Sequence, residues 1–301
     1  MRLGAPTLRV SQIKDVLEFY QGVFGLVKKA VYRSPGDGLE VFELGFRTSP
    51  EPLLVIRHDP KARPKGYDFA GLYHYAVVLP TRKSLASSYL TIGSSGTVFD
   101  GFADHHVSEA LYLHDTERNG IEVYADKSPE TWSAFNVASG GPRDTAMRRF
   151  ASLNRPLDFD SLLAELSKDE RANPSAFPSG ARIGHIHLRV TDLQRSVKFY
   201  NERLGLDIVA NLPEIGAAFL SVGGYHHHIG LNTWESDRGT PHQRGEAGLD
   251  HFTIHVPGDE TLERLKDGLE PSSHLSDEGA SGLTISDPDG IEIRVRAEGH
   301  Q

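Results

Sequence analysis

The sequence predicts an α+β protein made of four βαβββ units, on three observations. Leu8-Arg9-Val10, Phe19-Tyr20 and Gly25-Leu26 recur as Leu188-Arg189-Val190, Phe199-Tyr200 and Gly205-Leu206, at a constant offset of 180 residues. A second repeat lies inside the first, where Leu72-Tyr73-His74-Tyr75 answers to Leu249-Asp250-His251-Phe252 at an offset of 177. Each unit then reads as a strand, a helix with apolar residues at 3.6-residue spacing, and three β-rich runs separated by Gly and Pro turns.

Unit one runs from Leu8 to Asp59, unit two from Gly71 to Asp126, unit three from Ile183 to Trp234 and unit four from Leu249 to Ala297. Ser11 and Thr191-Asp192 are good helix caps. The helices that follow, Ile13 to Phe24 and Leu193 to Leu204, match Leu17, Tyr20 and Phe24 with Val197, Tyr200 and Leu204, and Gly25 and Gly205 stop them. The first strands of units two and four end at Pro80 and Pro257. A stretch rich in Pro, Ser, Asp and Arg separates the halves and carries one expected helix, Asp158 to Lys168. The domain limits expected from the repeat are 1–127 and 183–301, with a linker at 128–182.

Composition narrows the chemistry. A formal net charge of -9 argues against nucleic acid and anionic membrane as partners, because phosphate contacts need clustered Lys and Arg. No stretch reaches the roughly 18 apolar residues of a membrane span and the N-terminus lacks a signal-peptide core, so a cytoplasmic protein acting on small molecules is expected. The chain contains no Cys, which excludes disulfides, thiolate nucleophiles and Cys-ligated metals. Any metal must rest on His, Asp and Glu.

Units of this kind curve their sheets around shared cavities, so ligands can converge from first and last strands far apart in sequence. His74 and His185 stand at matching places on first strands, whereas Ala5 faces His185 in the repeat. The carboxylate must come from a last strand. In unit two Tyr112 precedes Glu122 by ten residues; in unit four the aligned positions are Thr284 and Arg294, so both polar functions are gone. Glu292 shares a face with Arg294 and is held as a reserve ligand.

Gly71-Leu72-Tyr73-His74-Tyr75-Ala76, Asp104-His105-His106-Val107-Ser108-Glu109-Ala110-Leu111-Tyr112-Leu113 and Asn119-Gly120-Ile121-Glu122-Val123-Tyr124 form one set of strings, with Gly184-His185-Ile186-His187-Leu188 and Tyr225-His226-His227-His228-Ile229 in the second half. Together they resemble the two-domain catechol 2,3-dioxygenases of the vicinal oxygen chelate superfamily, over nearly everything except the linker. The resemblance implies two domains of paired βαβββ units with curved mixed sheets around a metal cavity. It implies one Fe(II), occasionally Mn(II), held by His74, Glu122 and His185. Tyr112, His105 and an acid–base histidine, His227, complete the implied catalytic set. Substrates would be a catechol-type aromatic diol and O2, the product a ring-opened semialdehyde, and self-association is common among such enzymes. Better-known extradiol enzymes draw all three ligands from their second half; here the intact set spans units two and three, which requires two to pair with three and one with four.

Two imidazoles and a carboxylate on one face of an iron leave positions for both catechol oxygens and for dioxygen. Two other functions compete on the same scaffold. A glyoxalase-type isomerase or lyase usually adds a fourth protein ligand, often an acid, where unit three offers only His226 to His228. The third reading is a protein that binds an aromatic ligand without turnover. Among the remaining residues, a lone strand histidine is more often packed than ligating. His251, with Ala5 and Arg294 for partners, reads as a relic or a structural residue, His105 and His106 could lie in an exposed loop, and Trp132 and Trp234 read as packing residues. Alternation puts His226 and His228 on the face opposite His227, and which of the three meets the cavity is left open.

Overall fold

The first strand of each unit is buried at most of its positions, polar residues included, as befits a strand inside a sheet, covered on both faces. The computed structural model of the chain describes residues 1–64, 66, 68–135, 148, 151–269, 275–277 and 282–298. It places the four first strands at the centres of two sheets. In one sheet Gly71–Leu79 runs antiparallel to Arg182–Arg189. Their outer neighbours, Gly120–Asp126 and Ile229–Asn232, are parallel to them, and Ser108–His114, Phe99–Asp104, Ala217–Ser221 and Asp207–Leu212 extend the sheet to its edges. In the other sheet Thr7–Val10 pairs antiparallel with Gly248–Pro257. Leu54–His58, Glu40–Gly45 and Val27–Arg33 extend one side, while Glu292–Glu298, Leu283–Ser286 and Leu275–Asp277 extend the other.

Unit two therefore shares its sheet with unit three, and unit one with unit four, the pairing that the ligand set demands. The limits 1–127 and 183–301 mark the sequence repeat, and each hydrogen-bonded sheet draws one unit from each half. Among the described residues no helix is long and apolar enough to cross a membrane.

The helix Ile13–Phe24 buries Val16, Leu17, Tyr20, Val23 and Phe24 against the sheet and stops at Gly25, whose φ of 64° the absent side chain permits. Its cap differs from expectation. Ser11 does not cap it with its own side chain; the Glu117 carboxylate, from unit two, accepts from Ser11 N, Ser11 Oγ and Gln12 N at 2.6, 3.1 and 2.5 Å. A full negative charge at a helix N-terminus is a better partner for these amides than a neutral hydroxyl. Unit three keeps its own cap, Asp192, which accepts from Arg195 N at 3.0 Å, while Thr191 turns its N–H and hydroxyl to Asp289 of unit four. The helix expected over Leu193 to Leu204 is α-helical only to Lys198 and widens to a π-turn over Phe199–Arg203.

The single linker helix expected over Asp158 to Lys168 is two short ones. Phe159–Leu163 is capped by Asp158, and Lys168–Ala172 restarts behind Ser167, which exchanges reciprocal hydrogen bonds with Glu170. The linker residues 136–147, 149 and 150 lie outside the described set.

Two related buried contacts tie the sheets together. The Tyr20 hydroxyl donates to Asp115 at 2.9 Å, and Asp115 also accepts from Glu117 N, Asn119 N and Asn119 Nδ2. In the other half, the Tyr200 hydroxyl donates to Asp287 at 3.1 Å, and Asp287 accepts from Asp289 N and Ile291 N. Burial pushes the Asp287 carboxyl up to about 7, despite the Ile291 amide that favours its charged form.

Asp115→Ala strands three buried donors and one half-buried amide, and is expected to lower stability by about 3 kcal/mol or more in urea titration, against about 1 kcal/mol for Tyr20→Phe. Asp287 in the unfolded chain ionises near pH 4, but in the folded protein near 7, so its contribution is full below about pH 4 and is lost as pH rises to 7. In Asp287→Asn that dependence disappears, and the urea midpoint of the variant should rise relative to the parent between pH 4 and 7.

Candidate metal centre

Ala76 organises the centre of the first sheet. Its cross-strand partners are His185 on one side and Glu122 on the other, and His74 lies two residues before it. Directly paired residues and residues two apart share a face of a sheet. All three side chains therefore point into one cavity, and the small Ala76 leaves the space between them open. Tyr112 pairs with Glu122, and His187 with His74, so they join the same face.

Glu122 Oε2 lies 2.9 Å from His74 Nε2 and 3.1 Å from His185 Nε2, and the two imidazole nitrogens are 3.3 Å apart. The three residues are 6%, 3% and 1% exposed for His74, Glu122 and His185. Burial alone would raise the Glu122 carboxyl, but the His185 and His74 imidazoles outweigh it and hold the group well below the usual carboxylate range. Burial takes His185 down to about 4 against the pull of Glu122. The ring is held through Nε2 alone, since its buried Nδ1 has no hydrogen-bond partner.

These residues fit a divalent first-row metal. One face of an octahedron with bonds of about 2.1 Å has edges of about 3.0 Å, close to the separations of the three donor atoms, and two neutral nitrogens with one carboxylate oxygen suit such a cation. Among the described residues this is the only cluster of three or more His and carboxylate groups whose donor atoms lie within 4.8 Å of one another.

The remaining sequence candidates fall around this trio. Tyr112, whose ring centre is 5.7 Å from that of His74, has its hydroxyl 2.5 Å from His105 Nε2. The other nitrogen of His105 bonds Asn154 of the linker. Burial, and then Glu122, raise the Tyr112 phenol well above its usual value, so it stays protonated. Of the three consecutive histidines, His227 lines the cavity, with its ring centre 4.1 Å from that of His185. Burial holds it well below the usual histidine range. His105 lines the cavity too, whereas His106 takes a left-handed φ of 68° in the turn and does not.

His251 lies apart, in a cavity of about 460 Å³ in the other sheet. Its nitrogens bond Thr7 and Asp250. Glu292, the reserve ligand, pairs with His251 in register but binds the Arg294 and Arg244 guanidinium groups. An arginine where the first sheet has Glu122 leaves that cavity without a metal-binding set.

Sequence reasoning overlooked His187, which is 4% exposed and accepts from Asn232 Nδ2 at 3.0 Å. Its position two residues after His185 was the signal available. Trp234, read as a packing residue, lines the cavity and meets Tyr73 edge-on at 5.5 Å. Asn154 was hidden in the linker.

Comparison with known proteins agrees with this architecture. The profile of the Glyoxalase/Bleomycin resistance protein/Dioxygenase superfamily matches residues 182–295. The chain is 34% identical over 288 residues to the catechol-2,3-dioxygenase of Bacillus subtilis (strain 168), covering 95% of this chain and 93% of that one. It belongs to the catechol-2,3-dioxygenase family of this superfamily. Among solved structures, a putative dioxygenase from Bacillus subtilis subsp. subtilis str. 168 superposes on this family member with a TM-score of 0.64 at 14% identity, over all of this chain and 86% of the other. Glyoxalase I from Zea mays does so with a TM-score of 0.56 at 16% identity, over 98% and 92%. At these identities the likeness is one of fold, which is the α+β arrangement of paired βαβββ units.

His74→Ala and Glu122→Ala are each expected to abolish metal binding, measured as metal content after reconstitution and desalting. His251→Ala should retain the parent's content; loss there with retention in His74→Ala would place the metal in the other sheet.

Proposed function

We propose that the chain is an extradiol dioxygenase, which inserts both atoms of O2 next to the diol of a catechol and opens the ring to a semialdehyde. The observation that carries this reading is the convergence of His74, Glu122 and His185 at one cavity in a chain 34% identical to a catechol-2,3-dioxygenase. The metal is proposed to be Fe(II), with Mn(II) as the alternative. Held by these three residues, it would supply open positions for the diol oxygens and for dioxygen.

The protein's own groups account for orientation and proton movement. His227 is neutral at physiological pH because burial disfavours its charged form, so it can take a proton from a diol hydroxyl and return it. Tyr112 remains a donor, paired with His105, and is placed to hydrogen-bond a substrate oxygen. The cavity, of about 720 Å³, is closed on its deep side by the two sheet-centre strands, and Phe219, Leu113 and Ile121 give it apolar wall for an aromatic ring. A glyoxalase-type reaction on this scaffold would consume no oxygen.

Iron-reconstituted protein is expected to take up oxygen with catechol and form a yellow product in an oxygen electrode. Bound iron with no uptake across a panel of substituted catechols would overturn the assignment. Tyr112→Phe should keep its iron and lose about 10²-fold in turnover; unchanged turnover would remove Tyr112 from the chemistry.

A further inference from the structure

Behind His227 lies a partly buried polar chain that the reaction as described does not use. Asp126, at the end of the strand that carries Glu122, has its carboxylate 2.7 Å from His226 Nε2. The Tyr225 hydroxyl approaches both carboxylate oxygens at 3.1 and 3.2 Å, and the Tyr124 hydroxyl lies 2.6 Å from that of Tyr225. His226 Nδ1 is 2.8 Å from His227 Nδ1. The space for this chain is built in. A Cβ on Gly184 would stand 1.9 Å from the Tyr124 hydroxyl, and Trp132 closes over Tyr225 and His226 with ring centres at 5.1 and 5.6 Å.

With His226 neutral and Asp126 ionised, donor and acceptor roles assign the protons along it. An ionised carboxylate only accepts, so His226 Nε2 and the Tyr225 hydroxyl both donate to Asp126, and Tyr124 donates to Tyr225. A neutral His226 protonated on Nε2 offers Nδ1 as an acceptor. The proton between the two rings therefore belongs to His227 Nδ1, which makes Nε2 the acceptor of the cavity-lining imidazole.

We propose that Asp126 and His226 are positioning residues that hold His227 in the tautomer whose Nε2 meets a substrate hydroxyl as a base. This rests on the reading of His227 as the acid–base group of ring cleavage. The proton leaves the hydroxyl oxygen for His227 Nε2, and the Asp126 carboxylate, acting through His226, stabilises the positive charge that develops on the imidazole pair. The arrangement follows the logic by which an aspartate orients the histidine of a catalytic triad, here lengthened by one ring and with a half-buried carboxylate.

The test is the tautomer itself, read by long-range ¹⁵N–¹H NMR on the full chain labelled at histidine and loaded with Zn2+ as a diamagnetic stand-in. The parent should show His227 protonated at Nδ1 and unprotonated at Nε2, and His226 the reverse. In Asp126→Ala, His227 should lose that single tautomer. With iron bound, the same variant should keep its metal content and its KM for catechol within about twofold, while kcat falls about 10–100-fold. Asp126→Glu, which retains a carboxylate, should recover most of kcat. Tyr225→Phe, which removes a different partner of Asp126, should leave the His227 tautomer as in the parent. A parent His227 protonated on Nε2, or an unchanged tautomer in Asp126→Ala, would overturn the proposal. The expected tautomers in a parent that takes up no oxygen would uphold the positioning role and overturn the dioxygenase reading instead.

Discussion

The antiparallel register between Gly71–Leu79 and Arg182–Arg189 is the constraint on which the rest depends. It joins strands from opposite halves of the chain and sets His185 beside Ala76, two residues from His74, while Glu122 closes on Ala76 from the other side. A slip of one residue in either strand would turn the affected histidine to the opposite face of the sheet. Register is held by the apolar residues that alternate with the ligands, among them Tyr75, Val77, Ile186 and Leu188, all almost fully buried. The hydrophobic core thus does more than stabilise the sheet; it aligns the site.

Such a site carries a desolvation cost. A buried carboxylate between two buried imidazoles gives up the hydration of three polar groups and recovers part of it from their mutual hydrogen bonds. A divalent ion held by the three would recover far more. The other sheet shows what happens when that demand is absent. At the equivalent places it carries Ala5, His251 and Arg294, and the histidine is satisfied by Thr7 and Asp250 instead of by an ion. The two sheets share a backbone plan and differ at the site in Ala5 for His185, Thr284 for Tyr112 and Arg294 for Glu122.

The turns that precede the last strands of units two and four couple the two sheets. Asp115 and Glu117 reach from unit two to the helix of unit one, and Asp287 and Asp289 reach from unit four to the helix of unit three. Each turn therefore serves as a cap and an anchor for a neighbouring sheet. The strand bearing Glu122 starts directly after the first of these turns, so Glu122 is seated by the same contacts that join the sheets.

What the sequence by itself determined was the repeat and its asymmetry. Recurring triplets, the Gly25 and Gly205 stops and the apolar spacing of Leu17, Tyr20 and Phe24 located four units and their helices, because local periodicity and turn chemistry act over a few residues. The loss of Glu122 and Tyr112 counterparts at Arg294 and Thr284 pointed to a single intact set for the same reason, since aligned positions can be compared without knowing where they lie. Only the tertiary structure decided the register between the paired first strands, that Glu117 rather than Ser11 caps the first helix, and that Asn154, His187 and Trp234 reach the cavity. It also decided which of three adjacent histidines meets the cavity and what stands behind it. Those outcomes depend on contacts between residues tens to more than a hundred positions apart, whose free energy comes from packing and from shared protons, and a pattern read along one strand carries no record of its partner across the sheet.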